Sequence, residues 1–350
     1  MYIDNINYPA PKQEYKVLVR CATYNHSKYI EDALNGFAMQ QTNFPFVCLV
    51  VDDASTDGEQ EVIKAWMERE CDMSRAETID IPTSIVIIVP HKTNASCTFA
   101  FYLLKQNLHK NKTEKMRHVT PWREKCEYEA LCEGDDYWIS PLKIQKQSDF
   151  LDKNTAYTMC FHNAIERWEH DINKNNLFSK VRDRDYSGFY LLKNWIIPTA
   201  SVMLRSSIYK TELYGKVLNC NDFLYGDTPM FVTCAEYGKI RGFSDIMSVY
   251  RRNEGGLTMM AKSYEHYCRL GIHIDTFHRV FGKSYYSPLF VSEIYLTSAF
   301  HLCQSRDFIS AIKMLARNPY KIYYLISPIS IIMKTLVRKI RKYYNGKFKY

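Results

Sequence analysis

The chain has 350 residues, of which 46% are hydrophobic and 24% charged, so it can form a sizeable core, and disorder throughout is excluded. With only 13 glycines, 12 prolines and no short repeat, collagen-like, coiled-coil and low-complexity classes are excluded as well. The net charge is +8, and much of the excess lies in the last sixteen residues, which hold no acidic side chain and six basic ones: Arg338, Lys339, Arg341, Lys342, Lys347 and Lys349.

The eleven cysteines are scattered singly and form no CxxC pair. This pattern predicts reduced, mostly buried thiols in a cytosolic compartment rather than a disulfide scaffold or a zinc ribbon. Residues 1–14 lack the apolar segment of a signal peptide. No run reaches the roughly 18 apolar residues that a spanning helix needs. We therefore expect a cytoplasmic protein that is soluble or lies peripherally on the inner face of the cytoplasmic membrane.

Apolar runs and helical spacing predict alternating strands and helices in the first half of the chain. Strands are expected over residues 17–22, 46–51, 85–89 and 128–132, and helices follow the first, second and fourth of them. This order predicts an open, mostly parallel α/β sheet flanked by helices. The second half is less regular, with a helix over 227–236, strand, turn and strand over 240–251, and a helical pair over 287–317.

Three predicted strands end in polar clusters. These are Thr23-Tyr24-Asn25, Asp52-Asp53, and Glu133-Gly134-Asp135-Asp136. Because open α/β sheets bind ligands beyond the carboxyl ends of their strands, the three clusters predict one site at a shared edge.

The acidic cluster at 133–136 has two interpretations. Its three carboxylates repel one another unless solvated or neutralised, and Mg²⁺ or Mn²⁺ takes such oxygen ligands together with a substrate phosphate. Alternatively, the cluster is an acidic loop ahead of a helix starting at Pro141, where negative charge suits the helix dipole. Asp52 and Asp53 are ambiguous in the same way, because carboxylates between a strand and a helix often cap the helix.

Three segments together resemble the family 2 glycosyltransferases, which have the GT-A fold. They are VRCATYNH at 19–26, VDDASTDG at 51–58 and EGDDYW at 133–138, the last similar to a variant common among bacterial members. The resemblance covers roughly residues 15–260. It implies a Rossmann-like, mostly parallel sheet with a C-terminal helical extension. A fourth segment, from Tyr225 to Asn253, resembles the acceptor-side region of the family.

The resemblance implies a role for each matching position. Asp227 would be the catalytic base, and Asp135 would bind the metal with Glu133 and possibly Asn253, where many members have histidine. Contacts with the donor nucleotide would come from Thr23, Tyr24, Asn25, Asp52, Asp53 and Glu133. The acceptor side would include Asp136, Trp138, His162, Thr199 and Ser201, although His162, Thr199 and Ser201 are equally interpretable as core polar residues.

The implied reaction is transfer of a sugar, with inversion, from a nucleotide-sugar to a hydroxyl of a bacterial surface glycan such as lipopolysaccharide or capsule. A UDP-sugar donor and an Mg²⁺ or Mn²⁺ cofactor are expected. Two alternatives stay open: a catalytically silent nucleotide- or glycan-binding module, and a metal-dependent nucleotidyltransferase. Besides Asn253, the chain departs from the family in its polar fourth strand, with Glu127 and Glu129, and in an apparent insertion over 110–125.

The expected organisation is an N-terminal arm over 1–14, a catalytic domain over 15–260 and a helical extension over 261–350. The nucleotide half of the catalytic domain would span about 15–140 and the acceptor half about 141–260. The apolar and basic tail from about residue 318 suits an anionic membrane surface. It could instead be a packed terminal helix. Nucleic-acid binding is not expected.

Overall fold

The computed structural model of the protein describes residues 8–108, 112–253, 263–282 and 285–326. These residues fall into two compact units, one formed by 8–219 with 227–253 and the other by 220–226 with 263–326. The first unit contains the described strands, and the second is helical. Residues 1–7 of the predicted N-terminal arm and most of the basic tail lie outside the described residues.

The first unit alternates strands with helices. Its strands are β1 (Tyr15–Thr23), β2 (Phe46–Asp52), β3 (Glu77–Ile81), β4 (Ser84–Pro90), β5 (Cys97–Leu104), β6 (Cys126–Leu131), β7 (Tyr137–Trp138), β8 (Tyr157–Trp168), β9 (Asn176–Leu177), β10 (Arg184–Tyr186), β11 (Met203–Arg205) and β12 (Lys239–Arg252). Its α-helices are α1 (Ile30–Ala38), α2 (Glu59–Glu70), α3 (Lys112–Arg123), α4 (Lys143–Lys153), α5 (Gly188–Lys193), α6 (Glu212–Leu218) and α7 (Asp227–Tyr237).

The strands form one mixed sheet in the order β10-β12-β8-β11-β6-β1-β2-β5-β4-β3, with β7 beside β12 and β9 beside β8. Its centre, β6-β1-β2-β5, is parallel throughout. The predicted α/β class with a mostly parallel central sheet is therefore confirmed. Because β1, β2 and β6 run in the same direction, the polar clusters that follow them emerge at one edge of the sheet.

Two strand predictions need correction. The run at 85–89 lies in β4, which is antiparallel to both β3 and β5, and the next parallel strand is β5, which the sequence analysis did not separate. Both runs are apolar and of similar length, and periodicity does not encode strand direction. The predicted strand, turn and strand over 240–251 is the single strand β12, whose pairing with β8 shifts register between Phe243 and Ser248.

The polar strand that was predicted as the fourth is β6, and a buried ion cluster explains its polar character. Glu129 on β6 is fully buried and accepts hydrogen bonds from Arg20 Nε at 2.6 Å, Arg123 Nε at 2.5 Å and the Tyr209 hydroxyl at 2.8 Å. Burial alone would raise the pKa of Glu129, but the two guanidinium groups lower it to about 2. Arg123 comes from α3, so the predicted insertion supplies a counter-ion for the sheet.

The second unit has three α-helices: α8 (Tyr264–Phe281), α9 (Pro288–Gln304) and α10 (Phe308–Arg317). A short 3₁₀ helix, Lys321–Leu325, follows α10. The predicted helical pair over 287–317 corresponds to α9 and α10, which pack with α8 around Tyr267, Leu302 and Met314. None of the described helices is both long and apolar enough to cross a membrane.

Candidate active site

The polar ends of the central strands lie against one another. Asn25, after β1, donates its backbone N–H to the Ser55 hydroxyl at 2.9 Å and accepts the backbone N–H of Thr56 at 2.8 Å, so it joins the loop after β2. Gly134, after β6, packs on the side chain of Thr23. A Cβ atom at Gly134 would lie 2.1 Å from Thr23 Oγ1, which is closer than any real contact, so this position requires glycine.

Glu59, a residue that the sequence analysis did not select, holds the first two loops together. Its buried carboxylate accepts the Thr23 hydroxyl, the backbone N–H of His26 at 2.8 Å and the Ser55 hydroxyl at 2.9 Å. Burial raises the pKa of Glu59. From the sequence, an acidic residue in the first turn of a helix indicates only a favourable dipole contact, which is why its role was missed.

Asp52 and Asp53 both shape the loop after β2. Asp52 Oδ1 accepts the backbone N–H of Ser55 at 3.1 Å and Gln60 Nε2 at 2.5 Å, while its Oδ2 is buried without a hydrogen-bond partner among the described residues. Asp53 Oδ1 accepts the backbone N–H of Leu108 at 2.6 Å. Neither carboxylate caps α2, which begins after Gly58 at φ +88°. Tyr24 is exposed beside this loop.

The three carboxylates at 133–136 differ in environment. Asp136 is 2% exposed and accepts the backbone N–H of Arg251 at 2.8 Å, so it ties the loop to the end of β12. Burial, then the charges of Asp135 and Glu133, raise the pKa of Asp136. Burial and the charge of Asp135 raise the pKa of Glu133 to about 7. Asp135 itself keeps 21% of its side chain exposed and accepts Asn253 Nδ2 at 3.0 Å.

Arg251 organises the acidic loop, a role that the sequence analysis did not assign. Besides its backbone bond to Asp136, its guanidinium donates to Glu169 Oε1 at 2.8 Å, to the Asp135 carbonyl at 3.3 Å and to the Asp32 carboxylate. The guanidinium also lies 4.8 and 4.6 Å from two tyrosine rings, those of Tyr29 and Tyr137. Such bonds and stacking hold the loop in one conformation.

Four of the predicted acceptor-side residues lie in the interior: Asp136, Trp138, His162 and Ser201. Trp138 donates its indole N–H to the Ala200 carbonyl at 2.8 Å, and His162 and Ser201 are fully buried. Burial holds the pKa of His162 well below its usual range. Asp136 accepts the backbone N–H of Arg251 on β12. These side chains are part of the interior. Thr199, the fifth predicted acceptor-side residue, is half-buried.

Asp227 begins α7 and is half-buried. Its Oδ1 accepts the backbone N–H of Thr228 at 2.7 Å, which directs the carboxylate at the helix N-terminus. Burial raises the pKa of Asp227. The negative charge of Asp227 in turn contributes to the raised pKa of Glu133. The carboxylate borders a mainly apolar depression whose lining includes Leu191, Trp195, Ile197, Phe231 and Val232.

The residues around Asp135 can supply some of the ligands of a divalent cation. Among the described residues no group of three His, Cys, Asp or Glu side chains has a metal-binding arrangement. Asp135 nevertheless presents a partly exposed carboxylate, with His26 Nε2 3.8 Å away. Mg²⁺ is commonly bound by one or two carboxylates, with the remaining positions filled by water and substrate phosphate. The site therefore fits a cation that arrives with a nucleotide diphosphate. Asn253 directs its amide N–H₂, a donor, at Asp135 and positions that carboxylate.

Comparisons with known proteins agree with the motifs and the sheet. The family model "Glycosyl transferase family 2" matches residues 20–79. Curated relatives from Mycobacterium tuberculosis and Mycobacterium bovis, both named only as uncharacterized proteins, are 31% identical over 236 residues. The alignment covers 67% of this chain and 58% of theirs, so the chain spans little more than half the length of these relatives.

Two solved structures are similar to the chain. The structure of S. aureus TarS 1–349 in complex with UDP-GlcNAc has a TM-score of 0.57 at 14% identity, covering 87% of this chain and 82% of that one. A mannosyltransferase from Pyrobaculum calidifontis, solved with GDP-Man and Mn²⁺, has a TM-score of 0.49 at 14% identity, covering 97% and 84%.

The mostly parallel central sheet, with helices following it in the chain, has the GT-A fold. The matching family model and the three sequence motifs then specify the family. The segment 20–79 belongs to family 2 of the glycosyl transferases.

Proposed function

We propose that the protein transfers a sugar from a UDP-sugar to a hydroxyl group, with inversion at the anomeric carbon and with the help of a divalent cation. The observation that carries the proposal is the meeting of three polar strand ends beside the partly exposed carboxylate of Asp135, with Asp227 near enough for its charge to act on Glu133. A nucleotide with a charged diphosphate suits this arrangement, because its phosphates complete the ligands of a cation that the protein binds through few side chains.

Each part of the site has a role in this reaction. Thr23, Tyr24 and Asn25, together with Asp52 and Asp53, would contact the uridine. Asp135 would hold the cation, with Glu133 and Asn253 as the further predicted ligands. The cation, when bound, offsets the charge that develops on the leaving diphosphate.

Asp227 is the proposed general base. An inverting transfer needs a carboxylate that accepts the proton of the attacking hydroxyl on the face opposite the leaving group. Asp227 is held by the backbone of α7 and borders an apolar depression that can receive the acceptor. The backbone bond fixes the direction of the carboxylate before the acceptor arrives, which favours proton transfer in the bound complex.

The two alternatives make different predictions for turnover. A silent module binds nucleotide without releasing product, and a nucleotidyltransferase releases pyrophosphate from a nucleoside triphosphate. The polar fourth strand, which had suggested a silent module, belongs to the ion cluster around Glu129 and is explained by folding. That explanation favours an active enzyme.

The experiment is a panel of UDP-sugars, with GDP- and CMP-sugars beside them, assayed for release of the nucleotide and analysed by NMR for the configuration at the anomeric carbon. We expect release of UDP and an inverted product. Retained configuration would contradict the proposed mechanism. Nucleotide binding without release of any nucleotide would support the silent module, and release of pyrophosphate from an NTP would support the nucleotidyltransferase.

We also propose that the acceptor is a bacterial surface glycan, of the lipopolysaccharide or capsule type, and that the enzyme works on the inner face of the cytoplasmic membrane. Support for a membrane contact comes from α10. Its Ala311 and Met314 are buried, whereas Phe308, Ile309 and Ile312 are 61%, 69% and 68% exposed. A helix that is apolar on two faces needs a second apolar environment.

The basic residues that follow Asp307 in the sequence point to an anionic lipid surface. No acidic residue follows Asp307 in the sequence, whereas ten basic residues do, beginning with Lys313, Arg317 and Lys321. Basic residues beside an apolar helix face are typical of interfacial binding to anionic membranes.

We expect the triple variant Phe308→Ser, Ile309→Ser, Ile312→Ser to sediment with phosphatidylglycerol vesicles at least tenfold less than the wild type, because the apolar face is lost. Vesicles of phosphatidylcholine should bind both proteins weakly. Ile272→Ser, which changes a half-exposed isoleucine on α8, is the matched control and should sediment like the wild type. Equal sedimentation of the wild type and the triple variant would contradict the membrane proposal.

A further inference from the structure

His26 lies beside the metal-binding carboxylate, although it comes from the loop after β1. Its Nε2 atom is 3.8 Å from Asp135 Oδ2, and the two side chains are 24% and 21% exposed. Both atoms are thus partly screened from water and open to a ligand on one side. The distance is too long for a direct hydrogen bond between them.

The neighbours of His26 determine which ring nitrogen carries the proton. The Thr23 hydroxyl has a single proton, and it donates that proton to the Glu59 carboxylate. When the hydroxyl proton is donated to Glu59, the contact of 3.2 Å between Thr23 Oγ1 and His26 Nδ1 is a hydrogen bond in the tautomer that carries its proton on Nδ1. In that neutral tautomer the unprotonated lone pair is on Nε2, the ring nitrogen that lies 3.8 Å from Asp135 Oδ2.

The same partners fix the orientation of the ring. Glu59 accepts the backbone N–H of His26 at 2.8 Å through its Oε2, while its Oε1 holds Thr23. One buried carboxylate therefore positions both the backbone and, through Thr23, the ring. Histidines that bind metals usually have their second ring nitrogen held in this manner, which sets the tautomer and the direction of the free lone pair.

Two electron-pair donors that face each other at this distance are complementary to a cation. A metal at about 2.1 Å from a nitrogen or oxygen ligand can lie between atoms that are up to roughly twice that distance apart. An arrangement of one imidazole and one carboxylate suits Mn²⁺ and leaves the other positions for phosphate and water.

We propose that His26 Nε2, together with Asp135, is a ligand of the divalent cation that binds with the nucleotide diphosphate. The proposal rests on the metal-dependent function described above and adds a nitrogen ligand to it. In this arrangement Glu59 and Thr23 are positioning residues, because they act on the cation only through the imidazole.

Electron spin echo spectroscopy of Mn²⁺ bound with UDP tests the proposal without any measurement of turnover. We expect ¹⁴N modulation from a coordinated imidazole in the wild type and its loss in His26→Ala. In His26→Gln, which keeps the backbone bond to Glu59, the modulation should also be lost. The affinity for Mn²⁺ in the presence of UDP should fall about 10- to 100-fold in both variants. His301→Ala, which removes an exposed histidine of α9, is the matched control.

The outcomes separate this inference from the proposed function. If Mn²⁺ binds with UDP but shows no nitrogen modulation, or if the modulation persists in His26→Ala, the assignment of His26 is overturned while the metal-dependent enzyme stands. If Mn²⁺ does not bind with UDP at all, both the assignment and the metal dependence are overturned. Melting temperatures of His26→Gln and the wild type that agree within a few degrees exclude misfolding as the cause of lost modulation.

Discussion

Asp227→Asn is expected to lower the rate constant of sugar transfer by about two to four orders of magnitude, the usual contribution of a general base. The amide is nearly isosteric with the carboxylate and can still accept the backbone N–H of Thr228, so the start of α7 should be unchanged. It cannot accept the proton of the attacking hydroxyl at neutral pH. Binding of UDP should stay within about twofold of the wild type.

The pH dependence of the wild type gives a second readout of the same residue. Burial raises the pKa of Asp227, and a base works only when it is deprotonated. The rate should therefore fall as the pH drops through this raised pKa, at a higher pH than for an ordinary aspartate. Asp222→Asn, which changes an exposed carboxylate paired with Arg279, is the matched control and should keep full activity. Normal turnover in Asp227→Asn would exclude Asp227 as the base.

Asp135→Asn is expected to abolish the Mn²⁺-dependent part of UDP binding. A ligand that binds only the folded state at 100 times its dissociation constant adds about 2.7 kcal/mol to the free energy of unfolding. A thermal-shift titration with UDP should therefore show a rise in Tm that depends on Mn²⁺ in the wild type and is absent in the variant. The physical reason is that a neutral amide replaces the charged oxygen that the cation binds.

The structure provides a control for that titration. Asp80 is an exposed aspartate that pairs with Lys105 on the β3–β4 side of the sheet, away from the acidic loop. Asp80→Asn should give the same Mn²⁺-dependent rise in Tm as the wild type. A full response in Asp135→Asn would contradict the assignment of Asp135 as a metal ligand. Addition of EDTA should reduce the wild-type response to that of the variant.

Local patterns predicted β1, β2 and β6 of the parallel centre, but they missed β5 and did not give the direction of β4. The run at 46–51 was identified as a strand buried on both faces, and in β2 all seven residues are buried. The runs in β4 and β5 have the same apolar character, but β5 is parallel to β2, whereas β4 is antiparallel to β5. Strand direction depends on the path of the connecting loops, which no short window of sequence contains.

The meeting of the polar strand ends was predicted from the sequence, and the arrangement of their side chains was not. Three polar strand ends were expected at one edge, and they do contact one another. Within the acidic loop, however, neighbouring carboxylates point in different directions, so that Asp135 is partly exposed while Asp136 is bonded inside to β12. The sequence shows them as equivalent acidic residues, and only the course of the loop distinguishes them.

The sequence by itself determined the class of fold and the convergence of the polar strand ends, because both depend on short motifs and on the periodicity of apolar residues. The tertiary structure decided which side chains meet in the site. His26 approaches Asp135, and Arg251 binds the loop at Asp136, through contacts between segments more than 100 residues apart. These contacts depend on the pairing of β12 with β8 and of β1 with β6, whose registers are set by packing of the whole sheet.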